Sequence, residues 1–204
     1  MFSYDTHKEL LDAVWRLAYI AEYREGGNLS HLERIKGFTS LFGRGLGLSQ
    51  NEVQIISIAC QLHDIGKVGL PEGLLLRQEK YTEAELNKIK RHTIIGAEIL
   101  SNSPSALLQV GETIALNHHE RWDGSGYPNG TSGDQIPLSA RVCAIADVFD
   151  ALTTPRPYKK EISVEDASRL IIGASGSLFD PQLTEVFKDE FQSLLKVKKS
   201  IENR

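Results

Sequence analysis

Apolar residues recur at the spacing of α-helices along almost the whole chain. The early set is Leu10, Leu11, Val14, Leu17, Ala18 and Ala21, the middle set is Val53, Ile56, Ala59 and Cys60, and the late set is Leu183, Val186, Phe187 and Phe191. Steps of three and four residues place side chains on one face of a helix, whereas no segment shows the clear alternation of a strand. The pattern predicts an all-α bundle of about seven to nine helices.

Three positions have the sequence of a helix start, a hydroxyl residue followed three residues later by an acidic one. They are Ser49 with Glu52, Thr82 with Glu85, and Ser163 with Asp166. In such a pair the hydroxyl oxygen accepts a bond from a free backbone N–H of the first turn, and the acid helps to satisfy another. We therefore expect helices to begin at these three positions.

The longest interruption of the helical pattern runs from Trp122 to Pro137. Its glycines and prolines preclude a continuous helix; they are Gly124, Gly126, Pro128, Gly130, Gly133 and Pro137. A loop of this length in a compact domain is usually functional. For Trp122 two roles remain open, stacking on a base and packing under the loop.

Composition limits the class of protein without naming a function. Of 204 residues, 41% are hydrophobic and 25% are charged, so we expect one domain over residues 1–204 with a short helical tail. A net charge of −4 argues against binding of a long nucleic acid by bulk electrostatics. A small phosphorylated ligand remains compatible with this charge. No apolar run approaches the roughly 18 residues of a membrane span, and no secretion signal is evident, so we expect a cytoplasmic protein without membrane association.

Two smaller features bear on compartment and surface. Cys60 and Cys143 lie in apolar stretches without CxxC spacing, which predicts buried free thiols and a reducing compartment. The basic run from Lys196 to Lys199 predicts a solvated face.

Five of the six histidines occur together with two aspartates in an ordered series along the chain. The series is His31, His63, Asp64, His92, His118, His119 and Asp147. Imidazole nitrogens and carboxylate oxygens, without cysteine nearby, suit divalent cations that keep positions open for water and phosphate. Each residue alone is better explained as structure, but Asp147 in an apolar helix would cost several kcal/mol unless a cation compensated it. The set indicates a metal-dependent phosphohydrolase.

The series resembles the HD-GYP family of HD-domain phosphohydrolases, over residues 5 to 190 or so. The resemblance rests on His31-x-x-Arg34, His63-Asp64-x-Gly66-Lys67, His92-x-x-x-Gly96, His118-His119-Glu120-x-x-Asp123-Gly124-x-Gly126-Tyr127-Pro128 and Asp147-x-x-Asp150-Ala151-x-x-x-x-Arg156-x-Tyr158. It implies an all-α HD fold and hydrolysis of cyclic di-GMP to pGpG, often continuing to GMP, by a hydroxide that bridges two cations.

The resemblance also implies a ligand set. His31, His63, Asp64 and Asp147 would hold one metal, Asp64 would bridge to a second held by His92 and His118, and His119 would complete the cluster. Members with three metals have a glutamate four residues before the first histidine, where this chain has Gly27. Because glycine has no ligand atom, we expect two metals, and iron, manganese and nickel all suit the ligands.

The remaining motif residues are expected to bind substrate. Lys67 would neutralise a phosphate oxygen, unless it only interacts with the end of its helix. Asp150 would accept hydrogen bonds from guanine or other polar groups, with Arg156 and Lys159 on the second phosphate, unless Asp150 and Arg156 merely form a local ion pair. In the loop, Gly126, Tyr127 and Pro128 would shape the pocket or bind a protein partner.

Two other functions remain open at this point. One is hydrolysis of another cyclic dinucleotide or nucleotide, because metal ligands specify phosphate chemistry better than they specify a base. The other is a weakly active receptor or interaction module, for which the absent ligand at Gly27 is the support. Relatives commonly carry a sensory or receiver module. We therefore expect either that such a module has been removed from this chain or that the helix from His7 to Tyr23 takes the signal from a separate partner.

Overall fold

The computed structural model describes residues 6–24, 29–77, 79–155 and 161–203. Within these ranges every regular element is helical, and the one β-type pairing is an isolated bridge between Ser175 and Phe179. The α-helices are α1 Thr6–Tyr23, α2 Leu29–Gly45, α3 Gln50–Ala59, α4 Glu72–Leu75, α5 Glu83–Lys90, α6 His92–Leu100, α7 Ala106–Asn117, α8 Leu138–Thr153, α9 Val164–Gly173 and α10 Pro181–Glu202. Since α4 is a single turn, nine of these have eight residues or more, and the predicted all-α class is confirmed.

The core forms where α2, α8 and α10 meet. Phe38 of α2 and Phe187 of α10 both pack on Phe149 of α8, with ring centroids 5.3 Å apart in each pair. All three rings are fully buried, and burial of each contributes about 1.5–3 kcal/mol relative to an exposed ring. The late apolar set of the sequence thus packs α10 onto the elements that carry the site.

All three predicted helix starts are confirmed. Ser49 and Thr82 each accept a bond from the backbone N–H three residues later. The glutamate at that later position accepts a bond in return from the backbone N–H of the cap residue. Ser163 accepts from the N–H of Asp166 at the start of α9. Each cap contributes about 1 kcal/mol.

The early apolar set divides between two faces of α1. Val14, Ala18 and Ala21 are buried, whereas Leu10 and Leu17 are each 41% exposed. At the end of α1, the Arg24 side chain donates to the carbonyl of Leu70 over 2.7 Å. This bond ties α1 to the segment that follows Lys67.

The expectation for the basic run near the carboxyl end is partly wrong. Lys198 is only 7% exposed, because its ammonium group turns toward Thr154 Oγ1 at 3.4 Å and Glu202. Cys60 and Cys143 are buried free thiols, as predicted. Among the helices described, none has both the length and the apolar character needed to cross a membrane.

Candidate metal centre

Five separate elements bring the predicted ligands to one place. His31 lies in the first turn of α2, and His63 and Asp64 form the turn between two short 3-10 helices, Cys60–Leu62 and Ile65–Gly69. His92 is the first residue of α6, His118 and His119 follow the last residue of α7, and Asp147 lies in α8. Helix α3 ends at Ala59, and a tighter 3-10 turn then presents the His-Asp pair.

The seven side chains form two groups that could each hold a cation. Asp64, His92, His118 and His119 offer ligand atoms within 4.8 Å of one another, and so do His31, His63 and Asp147. Asp64 faces both groups: its Oδ1 lies 3.4 Å from His92 Nε2, and its Oδ2 lies 3.1 Å from His63 Nε2. A carboxylate with one oxygen toward each group has the placement of a bridging ligand.

Four of the histidines are held with Nε2 toward the centre. The Nδ1–H of His63 donates to the Cys60 carbonyl at 2.8 Å, that of His92 to Ile89 at 2.7 Å, and that of His118 to Ile114 at 3.1 Å. Because a carbonyl only accepts, Nδ1 carries a proton in each ring, and Nε2 is the nitrogen that can offer a lone pair to a metal. His31 follows the same rule with the Asp150 carboxylate as acceptor, at 2.8 Å. Such outer contacts fix metal-ligating imidazoles.

The electrostatics of the centre favour a cation. His63 Nε2 and Asp64 Oδ1 are buried without a hydrogen-bond partner in the described chain. Burial opposes charge on His63, but the carboxylates of Asp64 and Asp147 outweigh burial and raise its pKa to about 10. Burial would likewise raise the pKa of Asp64, yet Lys67, His63 and His92 hold that pKa well below its usual range. A metal ion would supply the positive charge that a proton on His63 otherwise provides.

The second group is kept neutral and ready to donate electron pairs. Burial lowers the pKa of His92 and, far more, that of His118. Burial also lowers the pKa of His119 to about 4. At neutral pH these three imidazoles therefore present lone pairs, which is the form that binds metal. The donor set and its protonation states fit divalent cations.

Asp150 occupies a different place from the predicted substrate contact. Its side chain is 1% exposed, and its oxygens accept from His31 Nδ1 at 2.8 Å and from the Arg34 guanidinium at 3.0 Å through Nη2. Direct contact with substrate is incompatible with this burial. The carboxylate instead lies behind His31, and Arg34 compensates its charge. The sequence contained Arg34 in its motif, but nothing local assigned it a partner 116 residues away.

The charge of Asp150 also bears on stability. Burial alone would raise its pKa, but the bonds from His31 and Arg34 lower it to about 2. The folded pKa thus lies below the ordinary value of 3.8. The resulting stabilisation is present at neutral pH and is lost as the pH falls toward 2.

Lys67 extends from the second 3-10 helix into the centre. Its Nζ lies 2.7 Å from Asp64 Oδ2, and its side chain is largely buried. The alternative of an exposed lysine at a helix end is therefore excluded. Glu22 of α1, which the sequence did not single out, also faces this region: burial raises its pKa, and His31, Asp64, His63 and Lys67 act on it electrostatically.

A close backbone contact joins the turn that follows Asp64 to α6, the helix that begins with His92. A Cβ added at Gly66 would lie 1.9 Å from the His92 carbonyl oxygen and 2.4 Å from the Gly96 nitrogen. The absence of a side chain at Gly66 and Gly96 therefore lets the turn after Asp64 contact α6.

Gly66→Ala is expected to destabilise the fold by about 3 kcal/mol or more and to reduce metal binding, because the backbone of α6 cannot move aside cheaply. Gly73→Ala is the control, since a Cβ there meets nothing within 4 Å. Thermal unfolding of both variants, with and without metal, tests this. Equal melting temperatures would contradict the packing argument.

The glycine-rich loop returns onto the end of α7. A Cβ at Gly126 would lie 2.6 Å from the His119 carbonyl oxygen, and the N–H of Tyr127 donates to that same oxygen at 3.2 Å. The Tyr127 ring stacks on the His119 ring with centroids 4.7 Å apart, and the peptide bond to Pro128 is cis. Buried Glu120 accepts from the N–H groups of Asn129 and Thr131. The loop thus packs against His119 on one side of the centre.

Some predicted roles are not decided by the described contacts, and some predicted residues lie beyond the described ranges. The Arg141 guanidinium lies 5.5 Å from the centroid of the Trp122 ring, and both roles considered for Trp122 stay predictions. Gly27, Arg156, Tyr158 and Lys159 are outside the described residues. Their predicted roles therefore stay predictions.

Comparison with known proteins identifies the family to which this chain belongs. The model of the HD domain family matches residues 17–183, which include every residue of the two ligand groups. The chain belongs to the HD-GYP branch of the HD-domain family. HD-domain phosphohydrolases depend on metals, and this chain has a His/Asp cluster that could bind them.

Two curated relatives of the HD-GYP chain are informative. It is 49% identical over 174 residues to the cyclic di-GMP phosphodiesterase response regulator RpfG of Xanthomonas campestris, covering 85% of this chain and 46% of the relative. It is 37% identical over 197 residues to the 3′3′-cGAMP-specific phosphodiesterase 2 of Vibrio cholerae, covering 97% of this chain and 37% of the relative. The chain thus spans less than half the length of these relatives.

A solved structure supports the fold. The cyclic GMP-AMP specific phosphodiesterase V-cGAP3 of V. cholerae superposes with a TM-score of 0.68 at 21% identity, over 95% of this chain and 53% of that one. At this identity the likeness concerns the fold alone.

Proposed function

We propose that this protein is a metal-dependent phosphodiesterase that hydrolyses cyclic di-GMP to pGpG, GMP or both. The observation that carries the proposal is the carboxylate of Asp64, with one oxygen toward each of two His/Asp groups. Support for the substrate comes from the relative at 49% identity, which is named a cyclic di-GMP phosphodiesterase. The HD-GYP family membership supports the reaction class.

In this proposal one cation would be held by His31, His63 and Asp147, and the other by His92, His118 and His119. Asp64 would contribute to both sites. Two such cations would supply an activated water nucleophile and stabilise charge on the phosphate and the leaving oxygen. Iron, manganese and nickel remain the candidates because each accepts mixed imidazole and carboxylate ligands. With glycine at position 27, we propose two ions rather than three.

Other side chains of the protein are proposed to orient the substrate and to neutralise the charge of its phosphates. Lys67, whose Nζ is 2.7 Å from Asp64 Oδ2, can place its positive charge on a phosphate oxygen at the same edge of the centre. Tyr127 keeps its proton, since burial raises the pKa of its phenol. Its hydroxyl can therefore donate or accept a hydrogen bond, or exclude water there. Arg156 and Lys159 remain the proposed contacts of the second phosphate.

A second candidate substrate is 3′3′-cGAMP, which appears in the name of the relative at 37% identity. The ligand groups treat both dinucleotides alike, because only the base differs. A receptor without turnover has less support, since all seven predicted ligands lie in the two groups.

The proposal is tested by giving the metal-reconstituted protein cyclic di-GMP and 3′3′-cGAMP in parallel and separating the products chromatographically. We expect pGpG or GMP from cyclic di-GMP at the higher rate, and no product after chelation and removal of the metal. Preferential cleavage of 3′3′-cGAMP would establish the second candidate. Cleavage of neither at confirmed metal occupancy would refute the proposal.

We also propose action in the cytoplasm under the control of a regulatory domain or partner. The two buried free cysteines suit a reducing compartment. The relative at 49% identity is named a response regulator and is about twice as long as the stretch that this chain matches.

A further inference from the structure

Lys90, the last residue of α5, stands at the rim of the metal centre. Its Nζ lies 5.3 Å from the centroid of the Tyr127 ring. The same ring stacks on His119, one of the side chains facing Asp64. Only the Tyr127 ring therefore lies between Lys90 and the predicted ligand His119, although no sequence motif includes Lys90.

The ammonium group of Lys90 is exposed and available. No carboxylate of the described residues lies within ion-pair distance of it, unlike Lys67, which contacts Asp64. Lys88 and Arg91 are exposed neighbours, so this edge is positively charged in a chain of net charge −4. The Tyr127 ring favours this position of the ammonium group, because a cation is attracted to the face of an aromatic ring.

A cyclic dinucleotide brings two phosphodiesters joined in one ring. When one of them reacts at the metal centre, the other is held a fixed distance away and keeps its negative charge. Such a phosphate needs a partner at the rim of the site and not among the metal ligands. A lysine ammonium group serves as a point charge for phosphate.

We propose that Lys90, beside the Tyr127 ring, is a further contact, in addition to Arg156 and Lys159, of the phosphodiester of the cyclic dinucleotide that is not being cleaved. This inference rests on the proposed function and adds a recognition residue to it. It separates two properties of the site: the metal groups and Lys67 act on any phosphodiester, whereas Lys90 acts only on a ligand with a second phosphate.

The test compares a ligand with two phosphodiesters and a substrate with one. Hydrolysis of bis(p-nitrophenyl) phosphate by the metal-loaded protein gives a KM, and its inhibition by cyclic di-GMP gives an inhibition constant. Lys90→Ala is expected to raise the ratio of inhibition constant to KM about tenfold, the effect of losing one charge-assisted hydrogen bond. Lys90→Arg should return this ratio most of the way to the wild-type value. Lys88→Ala, two residues away on the same exposed helix, is the control.

A ratio in Lys90→Ala within about twofold of wild type would overturn the inference. An equal rise in Lys88→Ala would also overturn it, because the effect would then be general charge. If cyclic di-GMP failed to inhibit the wild-type protein, the proposed function would fall as well. That result is visible without any variant, so the two failures are distinguishable.

Discussion

Asp64→Ala is expected to lose both bound metal and hydrolysis, with the rate of cyclic di-GMP cleavage falling by about 1,000-fold or more. The oxygens of Asp64 face both groups, at 3.1 Å from His63 Nε2 and 3.4 Å from His92 Nε2. Its removal takes the negative charge from between the two cations. Elemental analysis of the purified variant and product chromatography measure the two effects.

Asp189→Ala on the exposed face of α10 is the control for this substitution and should keep wild-type metal and activity. Thermal unfolding of both variants separates loss of function from loss of fold. Full activity in Asp64→Ala would rule out a bridging carboxylate at this position.

Asp150→Asn is expected to weaken metal binding at the His31 group by about 10- to 100-fold, the usual effect of losing an outer hydrogen-bond partner of a ligand. The amide keeps the shape of the carboxylate but leaves the buried Arg34 guanidinium without a negative partner. His31 then loses the charged acceptor that orients its ring. Metal titration of the variant should show one weakened site and one site near wild type.

The same variant distinguishes positioning from substrate contact. If Asp150 touched the nucleotide, the KM would rise while both metal sites stayed full, and that pattern would contradict the role given by its 1% exposure. Arg44→Ala, an exposed arginine on the same helix as Arg34, controls for charge on α2.

Local features of the fold were predictable from the sequence because they depend on neighbours in the chain. The caps at Ser49, Thr82 and Ser163 need only residues three positions apart, and all three formed as expected. The interruption after Trp122 follows from its glycines and prolines alone. These signals are short in range, so no knowledge of the folded core is needed to read them.

Burial and pairing were harder to predict because they depend on distant segments. Lys198 is buried through Thr154, 44 residues earlier, so a run that looked solvated is not. Leu17 repeats with the apolar residues of α1, yet it is 41% exposed. A spacing pattern identifies a helix face but does not identify what packs on it.

In the candidate site, too, residue types could be predicted from the sequence, whereas contacts between distant segments could not. The motif series named all seven side chains of the two groups, since chemistry restricts which residues bind such cations. It misassigned Asp150, because the partner Arg34 lies on another helix. It also had no means of finding Lys90, whose link to the centre passes through the folded loop and Tyr127.

The central claim is that two cations joined by Asp64 perform phosphodiester hydrolysis. The most direct measurement is the rate of cyclic di-GMP cleavage as metal is titrated into the apo-protein, with bound metal per chain determined on the same samples. We predict that the rate curves upward and saturates only near two ions per chain. Saturation at one ion, or two bound ions without cleavage, would contradict the account.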